Sequence, residues 1–432
     1  MARAKKETAL TPEVRLQAAL VPDWEWPHKL PENWCWLKLV ESFDNHTDSK
    51  KKIKQKDYLV KGKLAVVDQG QELIGGYTND VEKSYSGALP IVIFGDHTRC
   101  IKFVDFPFAQ GADGVKVLRP KPFYLPKAFY YALQSVNIPN LGYRRHFPLF
   151  NKFSIPLPPF AEQQRIVDRI ESLFDKLDEA KEKAQAVVDS FETRKAAILH
   201  QAFSGKLTAN WRVEHGISMD SWKCVKFSDV LDVRDGTHDS PTYHDMGYPL
   251  ITSKNLKDGQ ITDNDIRYIS KEDYEKINER SKVDIGDILF AMIGTIGNPV
   301  VVQNEPQFAI KNMALFKNIG RINPYFVKYY LESKTVNDKM QKDAKGSTQK
   351  FVSLGYLRAF LIDVPLELEQ MEIVHILDNL LVEEQQAKEA AEAVLDQIDL
   401  MKKSILARAF RGELGTNDPS EESAVELLKQ II

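Results

Sequence analysis

The sequence predicts an α+β fold. Two mostly β domains with short helices are separated by two long helices packed as an antiparallel coiled coil, and the whole forms a pseudo-twofold repeat. Three observations carry this expectation. Residues 162–207 and 369–414 align without a gap at a constant offset of 207, with about two positions in five identical. Each copy carries apolar residues at heptad spacing, the mark of helices that pack as a coiled coil. The segments that precede the copies change character to Val, Ile, Tyr and Phe runs broken by Gly, Pro, Asn and Asp, which reads as short strands and turns.

Taken in order, residues 1–29 read as an N-terminal extension that packs near the second helix. They lack the apolar core of a secretory leader. Residues 30–158 form the first variable domain and 159–217 the central spacer helix. Residues 218–366 form the second variable domain, 367–414 the second spacer helix and 415–432 a short tail helix with Pro419 in its first turn. The first seam runs through Ile166, Ile170, Leu173, Leu177, Ala184, Val187, Phe191 and Ile198. The second runs through Ile373, Leu377, Leu380, Ala391, Val394, Ile398 and Ile405. Arg194 and Glu384 interrupt the apolar stripes and are expected to set register or face a partner. A helix of this length spans about 60 Å or more. Pro156–Pro159 and Pro365 mark the entries, because proline disfavours helix in the residue before it. Gly205 and Gly412 mark the ends. The two domains share only faint likeness, at their openings (Leu30–Leu39, Ser221–Phe227) and near their ends (Asn140–His146, Lys345–Lys350).

Several function classes fall away. No run of about 18 apolar residues exists, so no membrane helix is expected. Cys35, Cys100 and Cys224 are scattered, which argues against a disulfide framework or a zinc site and for a reducing, cytoplasmic setting. An adenine methyltransferase needs Asn or Asp before Pro-Pro-Tyr/Phe; here Leu157 precedes Pro158–Pro159–Phe160, and leucine accepts no hydrogen bond. A phosphate-cradling P-loop is absent, and Gly294–Gly297 reads as a turn between strands. Asp96–His97 and His238–Asp239 lack the nucleophile context of a triad. No catalytic and no metal-binding residues are expected.

The motifs resemble those of the specificity subunits (HsdS) of Type I restriction-modification enzymes. The likeness rests on the helix entry PLPPFAEQQRIV (Pro156–Val167) and exit RKAAILHQAFSGKL (Arg194–Leu207), with second copies at Pro365–Val374 and Lys402–Leu414. LPENWCWLKL (Leu30–Leu39), Leu89–Leu118 and GDILFAMIGTIG (Gly286–Gly297) resemble parts of target-recognition domains. The resemblance implies a non-catalytic subunit whose two recognition domains sit at opposite ends of the helical spacer. Each reads one half of a bipartite site in double-stranded DNA. It also implies two methylation subunits that bind the helices and use S-adenosylmethionine on adenine, with motor-nuclease subunits completing the restriction complex. No cofactor is implied for this chain. A single-chain methyltransferase or nuclease with an unrecognised site, and a coiled-coil scaffold, are the rival readings.

Phosphate contacts come from Lys, Arg, Ser, Thr and backbone N–H, and base readout from polar side chains in the grooves. In the first domain the candidates are Lys50, Lys51 and Lys52 in a basic run with Lys54 and Lys56, for which a solvated loop is the alternative. Tyr77, Thr78, Asp96, His97, Thr98 and Arg99 lie in turn-rich polar loops, and Tyr143, Arg144, Arg145 and His146 in a basic, aromatic cluster. In the second they are Gly236, Thr237, His238, Ser253, Lys254, Asn255, Lys345, Ser347, Thr348, Gln349 and Lys350. The net charge of −3 conceals an uneven distribution. Residues 30–158 carry 18 basic against 12 acidic residues, residues 218–366 are neutral, and residues 367–432 carry 6 against 15. The first domain therefore has the charge of a DNA reader, while the acidic C-terminal segment suits protein.

Overall fold

The computed structural model describes residues 11–347 and 349–431. The chain divides into two compact units. One holds the residues up to Lys183 and those from Ala393 onward; the other is Ala184–Glu392. Each unit therefore contains part of both long helices.

In the first unit, Ile91–Gly95 is a continuous apolar run buried throughout, as expected for a strand covered on both faces. It lies inside an antiparallel four-stranded sheet ordered Phe43–Asn45, Val115–Pro120, Ile91–Gly95, Ile101–Val104. A three-stranded sheet is ordered Gly76–Thr78, Leu64–Val67, Phe108–Gln110, the last pair parallel. Cys35–Lys38 pairs antiparallel with Ser154–Leu157, so the domain closes where it opened and leads directly into the helix at Phe160.

The second unit repeats this plan. Its four-stranded antiparallel sheet is ordered Leu231–Asp235, Ala314–Asn318, Ile288–Ala291, Gly297–Val301. Its three-stranded sheet is ordered Arg267–Ile269, Tyr248–Thr252, Ala309–Lys311, again with the last pair parallel. Lys223–Lys226 pairs with Leu361–Val364 as the closing ribbon. Strand order and direction agree sheet by sheet, where the sequences agree only at their ends.

The long helices are Phe160–Phe203 and Glu367–Ala409, each about 65 Å long. Within the first unit, Lys402 donates to Asp178 at 2.5 Å and Arg165 donates to the Thr416 carbonyl at 3.0 Å. Within the second, Arg194 donates to Glu384 at 2.6 Å and Arg212 to Glu369. In both, one helix's numbers rise as the other's fall, so the helices run antiparallel. The two residues that interrupt the seam thus neutralise each other. The central helix stops at Phe203, with Gly205 at φ +73°, and a separate short helix, Ala209–Glu214, follows.

The seam is more than a contact between helices. Ile166 and Ile170 are fully buried in one core with Trp34, Phe129 and Ile155 of the first domain and with Leu406, Ala409 and Phe410 from the end of the second helix. Ile373 and Leu377 share a core with Phe227, Phe316 and Phe326 of the second domain and with Leu199 and Ala202 from the end of the first. Ala184, Phe191, Ala391 and Ile398 are buried; Leu173, Leu177, Val187, Ile198, Leu380 and Ile405 are half-buried. Val394 departs from the apolar-seam expectation and is 41% exposed.

The helix entries show why the same dipeptide stands at both. Gln163 donates to the Phe123 and Pro158 carbonyls at 2.9 and 3.1 Å and accepts from the Leu125 N–H at 2.7 Å. Gln370 donates to the Pro365 carbonyl at 2.9 Å and accepts from the Asn323 N–H at 2.8 Å. Each ties the first turn of its helix to the domain just completed. Glu162 accepts from Trp34 Nε1, Asn417 and Thr416 at 2.7, 2.9 and 3.1 Å. Glu369 accepts from Trp222 Nε1 at 3.0 Å, from Thr208 at 2.7 Å and from Arg212. Buried carboxylates persist only when fully partnered, and these are.

The tail helix, Ala424–Ile431, packs on this chain. Its Ala424 N–H bonds the Asn33 carbonyl at 2.9 Å, and Leu428 is fully buried. Pro419 lies in a turn ahead of that helix, not in its first turn as the sequence suggested. The N-terminal extension includes a helix, Pro12–Ala19, N-capped by Thr11, and it meets the tail helix. Among the described residues, no helix is long and apolar enough to cross a membrane.

Candidate nucleic-acid interface

In the first domain the turn at residues 96–100, between two strands of the larger sheet, lies against residues 140–147. Asp96 makes that junction. Its carboxylate accepts the His146 and Phe147 N–H groups at 2.9 and 2.7 Å, and its carbonyl lies 2.9 Å from His146 Nδ1. Asp96 and His146 are buried, so both leave the list of expected DNA contacts: they build the junction. What they present outward is His97 stacked on Tyr143, ring centroids 4.7 Å apart, with Tyr143 85% exposed and Arg144 and Arg145 exposed beside it. Thr98 is exposed and bonds the Gln69 carbonyl at 2.6 Å. Arg99 departs from expectation: it sits at φ +62° and turns its guanidinium inward to the Ile138 carbonyl at 2.9 Å. The neighbouring Gln69 loop is anchored by Lys102, which bonds the Glu72 carbonyl and lies 3.5 Å from Asp68. Burial pulls the Lys102 pKa down, and Asp68 opposes it.

The second domain places the corresponding pieces together. The turn after Ile288–Ala291 lies against residues 345–351: Gly294 N–H bonds the Lys350 carbonyl at 2.8 Å, and Val352 N–H bonds the Met292 carbonyl at 3.0 Å. Lys345, Ser347, Gln349 and Lys350 are exposed on this loop, whose Gly346 holds φ +100°. Thr348 lies outside the described residues. The sequence paired the loop at 345–350 with 140–146 by their place near each domain's end; the structure packs each against the turn after the corresponding strand of its own domain's larger sheet.

The remaining candidates divide. Gly236 is buried against the next strand, where a Cβ would stand 2.5 Å from the Ile310 carbonyl oxygen, so its role is close approach of backbone. Thr237 is half-buried beside Lys311. His238 is exposed and bridges Asp235 at 3.0 Å and Asn312 at 2.9 Å. Asp235 itself is buried and also takes Arg280. Asn255, 2% exposed, is a structural cap: it accepts from Thr252 N and Oγ1, both at 3.0 Å, and donates to the Thr262 and Asn264 carbonyls. Ser253 is half-buried and Lys254 exposed. In the first domain Thr78 is buried and caps the Asp80 N–H at 3.1 Å. Tyr77 is half-buried and pairs with Leu59. Lys50 is exposed; Lys51 and Lys52 are half-buried, and Lys51 Nζ bonds the Ser84 carbonyl at 3.1 Å. Asp96, His146, Thr78, Gly236 and Asn255 are therefore scaffold, and Arg99 is half-buried with its guanidinium on a backbone carbonyl. Sequence reading missed Gln69, Lys83, Tyr85 and Gln110, polar residues that only strand pairing brings beside the candidates.

A family model for the Type I restriction modification DNA specificity domain matches residues 31–188 and 219–393. The EcoKI specificity subunit of Escherichia coli K12 is 26% identical over 302 residues, a match that covers 65% of this chain and 64% of that protein. The EcoBI specificity subunit of Escherichia coli is 26% identical over 306 residues, 64% and 63% of the two chains. The chain thus spans somewhat under two-thirds of the curated relatives it matches. The crystal structure of the HsdS subunit from Thermoanaerobacter tengcongensis aligns with TM-score 0.59 at 19% identity, over 90% of this chain and 99% of that one. A chain from the structure on complex assembly and conformational transition of the type I R-M system aligns with TM-score 0.64 at 19% identity, over 90% and 100%. These likenesses show a shared fold.

Proposed function

The chain belongs to the Type I restriction modification DNA specificity family, and from that premise we propose that it is the non-catalytic DNA-reading subunit of such a system. Each β domain reads one half of a bipartite site in double-stranded DNA. The long helices set the separation and bind two methylation subunits, which use S-adenosylmethionine to methylate adenine at N6. Motor-nuclease subunits complete the restriction complex. The chain takes no cofactor itself and works in the cytoplasm. One observation carries this reading: two domains of the same topology and divergent sequence each present a polar turn beside a basic loop at the same place in the sheet. A conserved scaffold with variable edges is what two different half-sites require, since base contacts specify and the scaffold only positions.

Methylome sequencing of cells carrying this chain with its methylation subunit tests the proposal. One bipartite motif bearing N6-methyladenine is expected. Absence of any such motif, or methylation of DNA by the purified chain alone with S-adenosylmethionine, would overturn it.

A further inference from the structure

A cavity of about 230 Å³ opens in the first domain, and its lining includes no residue of the turn and loop just described. Its floor is Gln110, at the end of Phe108–Gln110; one wall is Tyr85, stacked on Phe108 at 5.4 Å, and His46 lies 3.2 Å from the Tyr85 hydroxyl. Lys51 and Lys83 form the rim.

The donors in this cavity outnumber the acceptors. Gln110 is 5% exposed, and its Oε1 accepts the Asp48 N–H at 3.2 Å. That bond fixes the amide, and its buried Nε2 has no hydrogen-bond partner. A native fold rarely leaves such a donor unanswered. Lys83 Nζ gives one bond, to the Lys50 carbonyl at 2.7 Å. Lys51 gives bonds to the Ser84 carbonyl and, at 3.4 Å, to Ser86 Oγ. An ammonium has three donors, so both keep capacity. The Asp48 carboxylate is the one acid lining the cavity, and it accepts the Lys50 N–H at 2.8 Å; two cations against one anion leave a positive site. Gly87 lies over Tyr85, where a Cβ would collide with the hydroxyl, so the chain keeps the cavity open there with a glycine.

We propose that the cavity formed by Lys51, Lys83, Gln110, Tyr85 and His46 holds a phosphodiester group of the DNA backbone, fixing the first domain's register on the duplex. A phosphodiester is negatively charged and accepts hydrogen bonds without donating any, which matches a positive, donor-rich site. The proposal rests on the DNA-reading function above and adds to it a specific anchor.

The test uses the full chain with its methylation subunit and a fluorescent duplex carrying the site found by methylome sequencing. Lys83→Ala should weaken binding and make the slope of log K against log salt shallower by about 0.9, the loss of one phosphate contact. Gln110→Glu keeps an acceptor for Asp48 but replaces the donor with charge, and should weaken binding about tenfold or more. Melting curves of both variants check that they fold. Inorganic phosphate, titrated by thermal shift, forms a second arm. Unchanged affinity and salt slope in Lys83→Ala, which keeps the core intact, would overturn the proposal while the DNA-reading function stands. Phosphate protection that Gln110→Glu abolishes, with DNA binding unchanged, overturns the backbone assignment in favour of a free phosphate. Failure of the unaltered complex to bind the duplex at all sinks the reading on which the proposal rests.

Discussion

Glu162 and Glu369 occupy the same place in the repeat, 207 residues apart, yet chemistry separates them. Both are fully buried and both take a tryptophan N–H. Glu162 is otherwise held by neutral donors, Thr416 and Asn417, whereas Glu369 faces Arg212, itself 7% exposed. Replacing Glu162 with Gln sets a donor against donors and should cost about 1–3 kcal/mol. Glu369→Gln does the same and also leaves a buried guanidinium without its counter-charge, for a cost of about 3–5 kcal/mol. Chemical unfolding of the two variants checks the order; equal losses would show that Arg212 finds another partner. Sequence flagged this dipeptide only as a repeated motif. The partners of its glutamates, 128 to 255 positions away along the chain, belong to tertiary structure and leave no local pattern. The same reason explains the scaffold residues mistaken for contacts. Asp96, His146 and Asn255 are polar residues in turn-rich sequence, as true contacts would be, and only the fold shows that their hydrogen bonds are already spent on backbone.

Among elements, the helices were the most legible because a period of 3.5 over about five heptads has few competing explanations. Their ion pairs, Arg194 with Glu384 and Asp178 with Lys402, became visible only in the structure. The strands were legible as composition, but their order was not, because pairing joins residues far apart, such as Ile53 with Gly111 or Leu231 with Asn318. Heptad reading also treated every stripe residue alike, and the structure does not. Ala184 and Ala391 are each 8% exposed, while Val394 is 41% exposed on the same helix as Ala391. A carboxylate forced into a buried, unpartnered position is costly. Ala184→Asp with Ala391→Asp should therefore abolish assembly of an active methyltransferase and lower Tm by roughly 10 °C or more, about 2–4 °C for each kcal/mol lost. Val394→Asp should shift Tm by no more than about 2 °C. A large loss in Val394→Asp, or an active complex from the double alanine variant, contradicts the burial pattern.

For the whole molecule, the decisive feature is that each unit builds its core from one variable domain, the first turns of the helix that follows it and the last turns of the other helix. Trp34, Ile166 and Phe410 share one core; Phe227, Leu199 and Ile373 share the other. The constant part of each core comes from the repeated helices, so a domain can change its exposed loops without altering what it rests on. The domain closes on itself through a two-stranded ribbon, Lys223–Lys226 with Leu361–Val364 in the second case, so the chain enters and leaves it side by side. On the proposed function, this makes specificity separable. Replacing residues 218–366 with the corresponding domain of a relative, while keeping Gln370, Glu369 and Arg212 in place, should give a folded subunit. Methylome sequencing should then find a bipartite motif in which one half is new and the other half and the spacing are unchanged. The Gln370 bond to the Asn323 N–H and the Glu369 bond to Trp222 Nε1 both cross from the constant helix to the variable domain, so such a swap tests them. A donor domain whose backbone offers an N–H at that position should be accepted. If both half-sites changed together, the two domains would not read DNA independently, and the assignment of one half-site to each would fail.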